Sequence, residues 1–222
     1  FPVAVVVLET DYEPPSEYFY LRQEAYSSYM GKRLQLSLDP AVAYDGIRGF
    51  PAKPYDVPVM VPDFLRTPIE GKVALLTPHT SPFGVEGIVS YRPTVNPRPT
   101  TFVRTYAFTS LASRVEYADL LPLNAGNPFW TTAEREHYLE TSPDPRFGQL
   151  AEEIVAAIPA ELSDSDFAKA LLVKLYLDER MKYPLRIRHA NAPDPTAEFL
   201  FGPTNQFIGY CVHSAHAAAL LW

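Results

Sequence analysis

The end of the chain carries its most reactive side chains. The segment GYCVHSAHAAALLW, residues 209 to 222, holds Cys211, the only cysteine of the protein, together with His213 and His216. A cysteine near a histidine is the pairing that cysteine nucleophiles use, because the histidine can take the thiol proton and the thiolate attacks. The segment therefore indicates nucleophilic chemistry. The alternative is a buried, inert thiol on a core helix.

The residues around Cys211 predict a loop-to-helix junction. Gly209 precedes the cysteine, and the alanine-rich stretch behind it contains no glycine or proline, which favours a helix. Cys211 is then expected at or near a helix N-terminus. There the free N–H groups and the positive end of the helix dipole favour a thiolate.

The two neighbouring histidines are poor partners for the cysteine. At about 100° per residue, His213 lies about 200° and His216 about 140° around the helix from Cys211. We therefore expect both to face away from it and neither to act as its base. The three side chains also make a poor zinc set, since no fourth ligand is evident. The sequence predicts no metal site and no cofactor.

Two helices are predicted before this segment. RFGQLAEEIVAAI, residues 146 to 158, repeats apolar residues every three or four positions, which is typical of an amphipathic helix. The second, FAKALLVKLYLDERM, has Ser163 or Ser165 as its candidate N-cap. Its predicted apolar face consists of Phe167, Leu171 and Leu175.

The first part of the chain predicts β-structure. The segments VAVVVL, RLQLSL, KVALLT, VEGIVSYRPT and TFVRTYAFTSL are rich in β-branched or aromatic residues and lie between turns. YFYLRQEAYSSYM, residues 18 to 30, fits a strand edge or a short helix. Its aromatic residues fit sheet packing or a binding groove. We predict an α+β protein with a β-rich domain at 1–140 and a second, helical region at 141–222.

Composition excludes several classes of function. The net charge of −7 disfavours nucleic-acid binding, which needs a positive field. A single cysteine rules out an internal disulfide. No signal peptide or membrane span is evident, because apolar runs are far shorter than about 18 residues. The chain begins with Phe1, so we expect it to be cut or processed from a longer polypeptide.

A family resemblance covers residues 145 to 222. LAEEI, FAKALLVKLYLDERMKYPL, DPTAEFLF and GYCVHSAHAAALLW occur in the order and spacing of the front half of a transglutaminase-like core, a relative of papain-type peptidases. The chain most resembles bacterial, membrane-anchored transglutaminase-like proteins, in which a β-rich segment often precedes the core. Val212 and Ser214 stand where that family often has an acidic and an aromatic residue.

The resemblance implies a cysteine acyltransferase or hydrolase. Cys211 would be the nucleophile, attacking the amides of a protein or peptide substrate, as a transglutaminase, deamidase or peptidase does. Backbone N–H groups and one upstream donor, Gln206 or Asn205, would hold the oxyanion. The family's general-base histidine and orienting aspartate follow the cysteine by a few dozen residues. We expect them beyond Trp222, in the parent polypeptide or a further chain.

The resemblance also implies a place for the protein. Members of this kind face the extracytoplasmic side, so we expect this protein in the periplasm or at the cell surface, anchored through segments outside this chain. The alternative function is a non-catalytic transglutaminase-like scaffold or interaction module in a membrane-associated assembly.

Overall fold

The fold is α+β, as predicted, with an antiparallel sheet and six α-helices in the part described. The structure is a computed structural model that describes the chain except residues 32, 38, 40, 41, 43–46, 48, 59–61, 185–191 and 205. The described residues form two compact units. The first comprises Phe1–Tyr26, Leu36–Ala118 and Asn127–Ala133, and the second Ser27–Gln35, Asp119–Gly126 and Glu134–Trp222.

The first unit is built on a five-stranded antiparallel sheet. Its order is β1-β6-β9-β8-β5, with β1 at Ala4–Leu8, β5 at Tyr55–Asp56, β6 at Arg66–Leu75, β8 at Ile88–Pro93 and β9 at Arg104–Ser113. A two-stranded ladder pairs β2, Leu21–Arg22, with β7, Gly84–Val85. Residues 18 to 30 therefore contribute short strands, and the helical option for them is wrong.

Alternation along β6 and β9 builds the core of the first unit. Ile69 and Val73 point inward from β6, and Tyr106 and Phe108 from β9. Gly71 lies directly opposite Phe108, and a Cβ atom there would collide with the Phe108 ring. Fully and partly buried residues thus alternate along β9.

The second unit contains a hairpin and most of the helices. β3, Ser28–Tyr29, pairs with β4, Leu34–Gln35. The helices are α1 at Tyr117–Leu120, α2 at Thr132–Tyr138, α3 at Pro145–Val155, α4 at Asp166–Arg180, α5 at Pro195–Phe201 and α6 at Cys211–Leu221, with a 3-10 turn at Ala160–Leu162. The first residues of α2 and α1 fall in the first unit. The division into a β-rich domain at 1–140 and a helical region at 141–222 stays a prediction.

Helix caps follow the sequence closely, whereas one helical face does not. Ser165 is the N-cap of α4, and its Oγ accepts a hydrogen bond from the Ala168 N–H at 3.2 Å. The buried residues of α4 are Ala168, Val173 and Leu177, while Leu175 is 45% exposed. The predicted face through Leu175 is wrong, because α4 carries apolar residues on most of its circumference and the periodicity selects no single side.

The helices of the second unit share one core. It joins residues of α3, α4, α5 and α6 with the loop residue Phe207: Phe147, Ile154, Val173, Leu177, Ala197, Phe199, Leu200, Phe207, Ala217 and Leu221. The buried face of α6, the helix that begins at Cys211, therefore packs in this core and holds the helix in place. None of the described helices combines the length and the hydropathy that a membrane span needs.

Candidate functional site

A short backbone ladder fixes the approach to Cys211. Lys182 follows α4, and its N–H donates to the Phe207 carbonyl oxygen at 2.8 Å. The Gly209 N–H donates back to the Lys182 carbonyl oxygen at 3.1 Å, so that Lys182 and Ile208 form a parallel bridge. Because both neighbours of Ile208 are bonded to the same residue, the chain reaches the helix in a defined direction.

Cys211 is the first residue of α6. Tyr210 is the N-cap and has extended backbone angles, φ −107° and ψ 171°. The expectation of a cysteine at a helix N-terminus is thus confirmed for the backbone. Cys211 is exposed, which is the opposite of the buried, inert thiol that was the alternative.

Within the described part of the chain, two of the N–H groups in the first turn of α6 are hydrogen-bonded to the backbone, and two are not. The N–H groups of His213 and Ser214 donate to the Tyr210 carbonyl oxygen, at 2.9 and 3.4 Å. Among the described residues, no acceptor is seen for the N–H groups of Cys211 and Val212. Such groups at a helix start can stabilise a negative charge that develops beside them.

His213 is a structural neighbour of the site and not an exposed base. It is 8% exposed, and its Nδ1 accepts a hydrogen bond from the Tyr210 N–H at 3.1 Å. Its ring lies 5.9 Å from the Phe199 ring, centroid to centroid. This agrees with the expectation that the histidine packs away from Cys211.

Glycine at position 209 allows close packing beneath the junction. A Cβ atom there would lie 3.0 Å from Cδ2 of Phe199 and 3.1 Å from Cβ of His213. Phe207 contributes to the same layer, since its N–H donates to the Phe199 carbonyl oxygen at 2.8 Å and its ring meets the Phe199 ring edge-on at 5.8 Å. The segment before Cys211 is therefore seated on α5.

Gln206, one of the two candidate oxyanion donors, contacts the end of α5. Nε2 of Gln206 donates to the Leu200 carbonyl oxygen at 2.8 Å, so one of its two amide protons is used at the end of α5. Asn205, the other candidate, lies outside the described residues. Both stay predictions.

The remaining histidines of the described region have other surroundings. His216 is half-buried on α6, and burial, with His213 and Arg33 nearby, lowers its pKa. His137 shares a 2.9 Å hydrogen bond with Ser27 Oγ, and His79 Nδ1 lies 3.1 Å from the Thr77 carbonyl oxygen. Among described residues, no three His, Cys, Asp or Glu side chains are grouped so as to hold a metal.

Sequence reasoning missed the role of Asp194. It is the N-cap of α5, and its Oδ1 accepts from the N–H groups of Thr196 and Ala197, at 3.0 and 2.9 Å. Its Oδ2 accepts from the Tyr29 hydroxyl at 2.6 Å. The cap itself was readable, because Asp followed by Pro195 is a helix-start signature. No local signal links Asp194 to a tyrosine so far away in sequence.

No protein-family model, no curated protein and no solved structure matches this chain.

Proposed function

We propose that this chain is part of a transglutaminase-like cysteine acyltransferase or hydrolase in which Cys211 is the nucleophile. The observation that carries the proposal is that the single cysteine is exposed and is the first residue of α6. The family resemblance of residues 145 to 222 supports it. From the same resemblance we also propose that the protein acts outside the cytoplasm and that its substrates are protein or peptide amides.

The proposed reaction begins with attack by sulfur. The Cys211 thiolate adds to an amide carbonyl carbon, a C–S bond forms, and the carbonyl electrons move onto oxygen. The N–H groups of Cys211 and Val212 are the donors placed to receive that oxyanion. When the intermediate collapses, the C–N bond breaks, and the amine leaves with a proton from a general acid. Water or an amine then takes the acyl group from sulfur.

The proton-transfer residues of this reaction are proposed to come from elsewhere in the protein. His213 already uses Nδ1 as an acceptor for the Tyr210 N–H, and it is buried. A histidine base with an orienting carboxylate is needed to activate the thiol in substrate turnover and to protonate the leaving amine. Acylation by a reactive ester needs neither, because the buffer can take the thiol proton and the leaving group departs without one.

An acylation experiment tests the proposal on the chain itself. Incubation with p-nitrophenyl acetate should transfer one acetyl group to Cys211, detected by intact mass and peptide mapping, with release of one equivalent of p-nitrophenolate. Cys211→Ser should abolish the rapid release. The double variant Cys211→Ser/Ala219→Cys moves the thiol to an exposed position in the last turn of the same helix. Acetylation of that variant as fast as that of the unmodified chain would contradict the proposal.

A second candidate function is a non-catalytic scaffold or interaction module in a membrane-associated assembly. The observation that favours it is the capping role of His213. The first turn of α6 contains a cysteine, but Nδ1 of its histidine accepts a structural hydrogen bond and does not act as a base. A Cys211 that is acetylated no faster than the thiol at position 219 supports this candidate.

A further inference from the structure

We propose that His213 is a positioning residue for Cys211: its neutral imidazole fixes the N-cap of α6 and so aligns the nucleophile. This inference rests on the proposed function, since it concerns the same cysteine. It assigns His213 a function that is distinct from proton transfer. The carrying observation is the hydrogen bond from the Tyr210 N–H to Nδ1 of His213, at 3.1 Å.

The hydrogen bond defines the state of the ring. A backbone N–H can only donate, so Nδ1 of His213 must accept, and the ring proton of a neutral imidazole then lies on Nε2. His213 is the third residue of α6, counted from Cys211. In a capping box, a side chain at this third position reaches back to the N–H of the N-cap residue, and glutamate or glutamine commonly fills it. Here an imidazole takes that place.

Packing holds the imidazole where the cap needs it. His213 is 8% exposed, its Cβ lies against Gly209, and its ring lies 5.9 Å from the Phe199 ring and 6.2 Å from the Tyr210 ring. A side chain enclosed on these sides has little rotamer freedom. Packing in the core of the second unit therefore holds Nδ1 of His213 close to the Tyr210 N–H.

The cap fixes the peptide that carries Cys211. The N–H of Tyr210 is held by the His213 side chain, and the carbonyl oxygen of Tyr210 accepts from the His213 backbone N–H at 2.9 Å. Both ends of the N-cap residue are thus tied to one residue. Because that carbonyl is joined to the Cys211 nitrogen, the direction of the Cys211 N–H and of its side chain depends on both bonds.

Two matched substitutions test the role of the acceptor. His213→Gln keeps a side-chain acceptor that can reach the Tyr210 N–H, whereas His213→Met has a similar length and no comparable acceptor. His213→Leu is a second apolar variant, in case methionine prevents folding. The readouts are hydrogen exchange of the Tyr210 amide by NMR and the second-order rate of Cys211 alkylation by iodoacetamide, with circular dichroism as a check of folding.

We expect the acceptor to decide both readouts. In the methionine or leucine variant, Tyr210 amide exchange should accelerate and Cys211 alkylation should slow, each by about fivefold, as the loss of a cap predicts. The glutamine variant should stay within about twofold of the unmodified chain. Equal exchange in the glutamine and methionine variants overturns the inference, and so does faster exchange without any change in alkylation.

The two proposals fail in different ways. If Cys211 of the unmodified chain reacts no faster than the thiol of Cys211→Ser/Ala219→Cys, the proposed function fails and the positioning role fails with it. If Cys211 reacts faster than that thiol, but equally in the glutamine and methionine variants of His213, only the positioning role is overturned.

Discussion

The Tyr29 hydroxyl donates a 2.6 Å hydrogen bond to Oδ2 of Asp194, 165 residues further along the chain. Tyr29 lies on the hairpin strand β3, and Asp194 caps α5. Burial and the Asp194 carboxylate raise the pKa of Tyr29, so the phenol stays protonated and donates. The hairpin thereby fixes the start of the helix on which the segment before Cys211 is seated.

Removing the Tyr29 hydroxyl should loosen α5. Hydrogen bonds to charged groups contribute about 1.5–3 kcal/mol when they are shielded from water, and we expect Tyr29→Phe to cost about 1–2 kcal/mol at this half-buried site. Native-state hydrogen exchange of the α5 amides measures the loss. Tyr18→Phe is the control, because Tyr18 is 70% exposed and should change nothing. Unaltered α5 exchange in Tyr29→Phe would show that the bond is not stabilising.

Asp194→Ala should cost more than Tyr29→Phe, because it also removes the cap of α5. The N–H groups of Thr196 and Ala197 lose their acceptor, and a lost N-cap costs about 1 kcal/mol. We expect a total of about 2–3 kcal/mol by urea unfolding. In a double-mutant cycle, Tyr29→Phe should have little effect once Asp194 is alanine. Strictly additive losses would mean that the two side chains do not interact.

The sequence predicts the fold class and most element positions, because those depend on local patterns. Alternation in the strand through Tyr106 and the serine cap of α4 are short-range signals that the structure reproduces. The inward face of α4 and the membership of the hairpin 27–35 in the second unit are not local properties. They depend on which surfaces meet in the folded chain, and a local sequence pattern does not specify those surfaces.

The candidate site, like the fold, is predicted by the sequence only where it depends on local patterns. Cys211 at the first position of α6 follows from the glycine before it and the alanines behind it. The capping by His213 was not predicted, because the angular argument around the helix places the side chain but does not show that Nδ1 bends back to the Tyr210 N–H. The place of Gly209 against Phe199 likewise emerges only when α5 and α6 pack.

Two glycine substitutions should have opposite signs. Gly209→Ala places a methyl group 3.0 Å from the Phe199 ring and 3.1 Å from His213, and overpacking of this kind costs about 1–3 kcal/mol. Gly148 lies inside α3 with nothing within 4 Å of an added Cβ. Gly148→Ala should therefore stabilise the protein by about 0.5–1 kcal/mol. Chemical unfolding of the two variants checks both values, and a neutral Gly209→Ala would refute the close packing before Cys211.

Alkaline pH should destabilise the first unit through its buried tyrosines. Burial raises the pKa of Tyr106 to about 12, and it also raises the pKa of Tyr91. From pH 10 upward, these tyrosines lose their protons in the unfolded chain but keep them in the folded chain. The folded state then binds more protons, and stability falls as pH rises from 10 to 12.

Tyr106→Phe isolates one contribution to this alkaline loss. The variant should be less stable at pH 8, because the Tyr106 hydroxyl exchanges hydrogen bonds with the Phe83 backbone, both at 2.9 Å. It should lose less stability between pH 8 and pH 11 than the unmodified chain does. Urea midpoints at the two pH values measure the difference, and an unchanged difference would rule out the contribution of Tyr106.

The most direct test of the central claim compares the reactivity of one thiol at the two ends of α6. Iodoacetamide alkylation of Cys211 at pH 7 is measured beside that of the cysteine in Cys211→Ser/Ala219→Cys, which lies at the opposite end of the helix dipole. Since such a charge effect is about 0.3–1 kcal/mol at each end of a helix, or about 0.6–2 kcal/mol between the two ends, Cys211 should react at least about twofold faster. Equal rates, or a faster reaction at position 219, would contradict the assignment of Cys211 as an activated nucleophile.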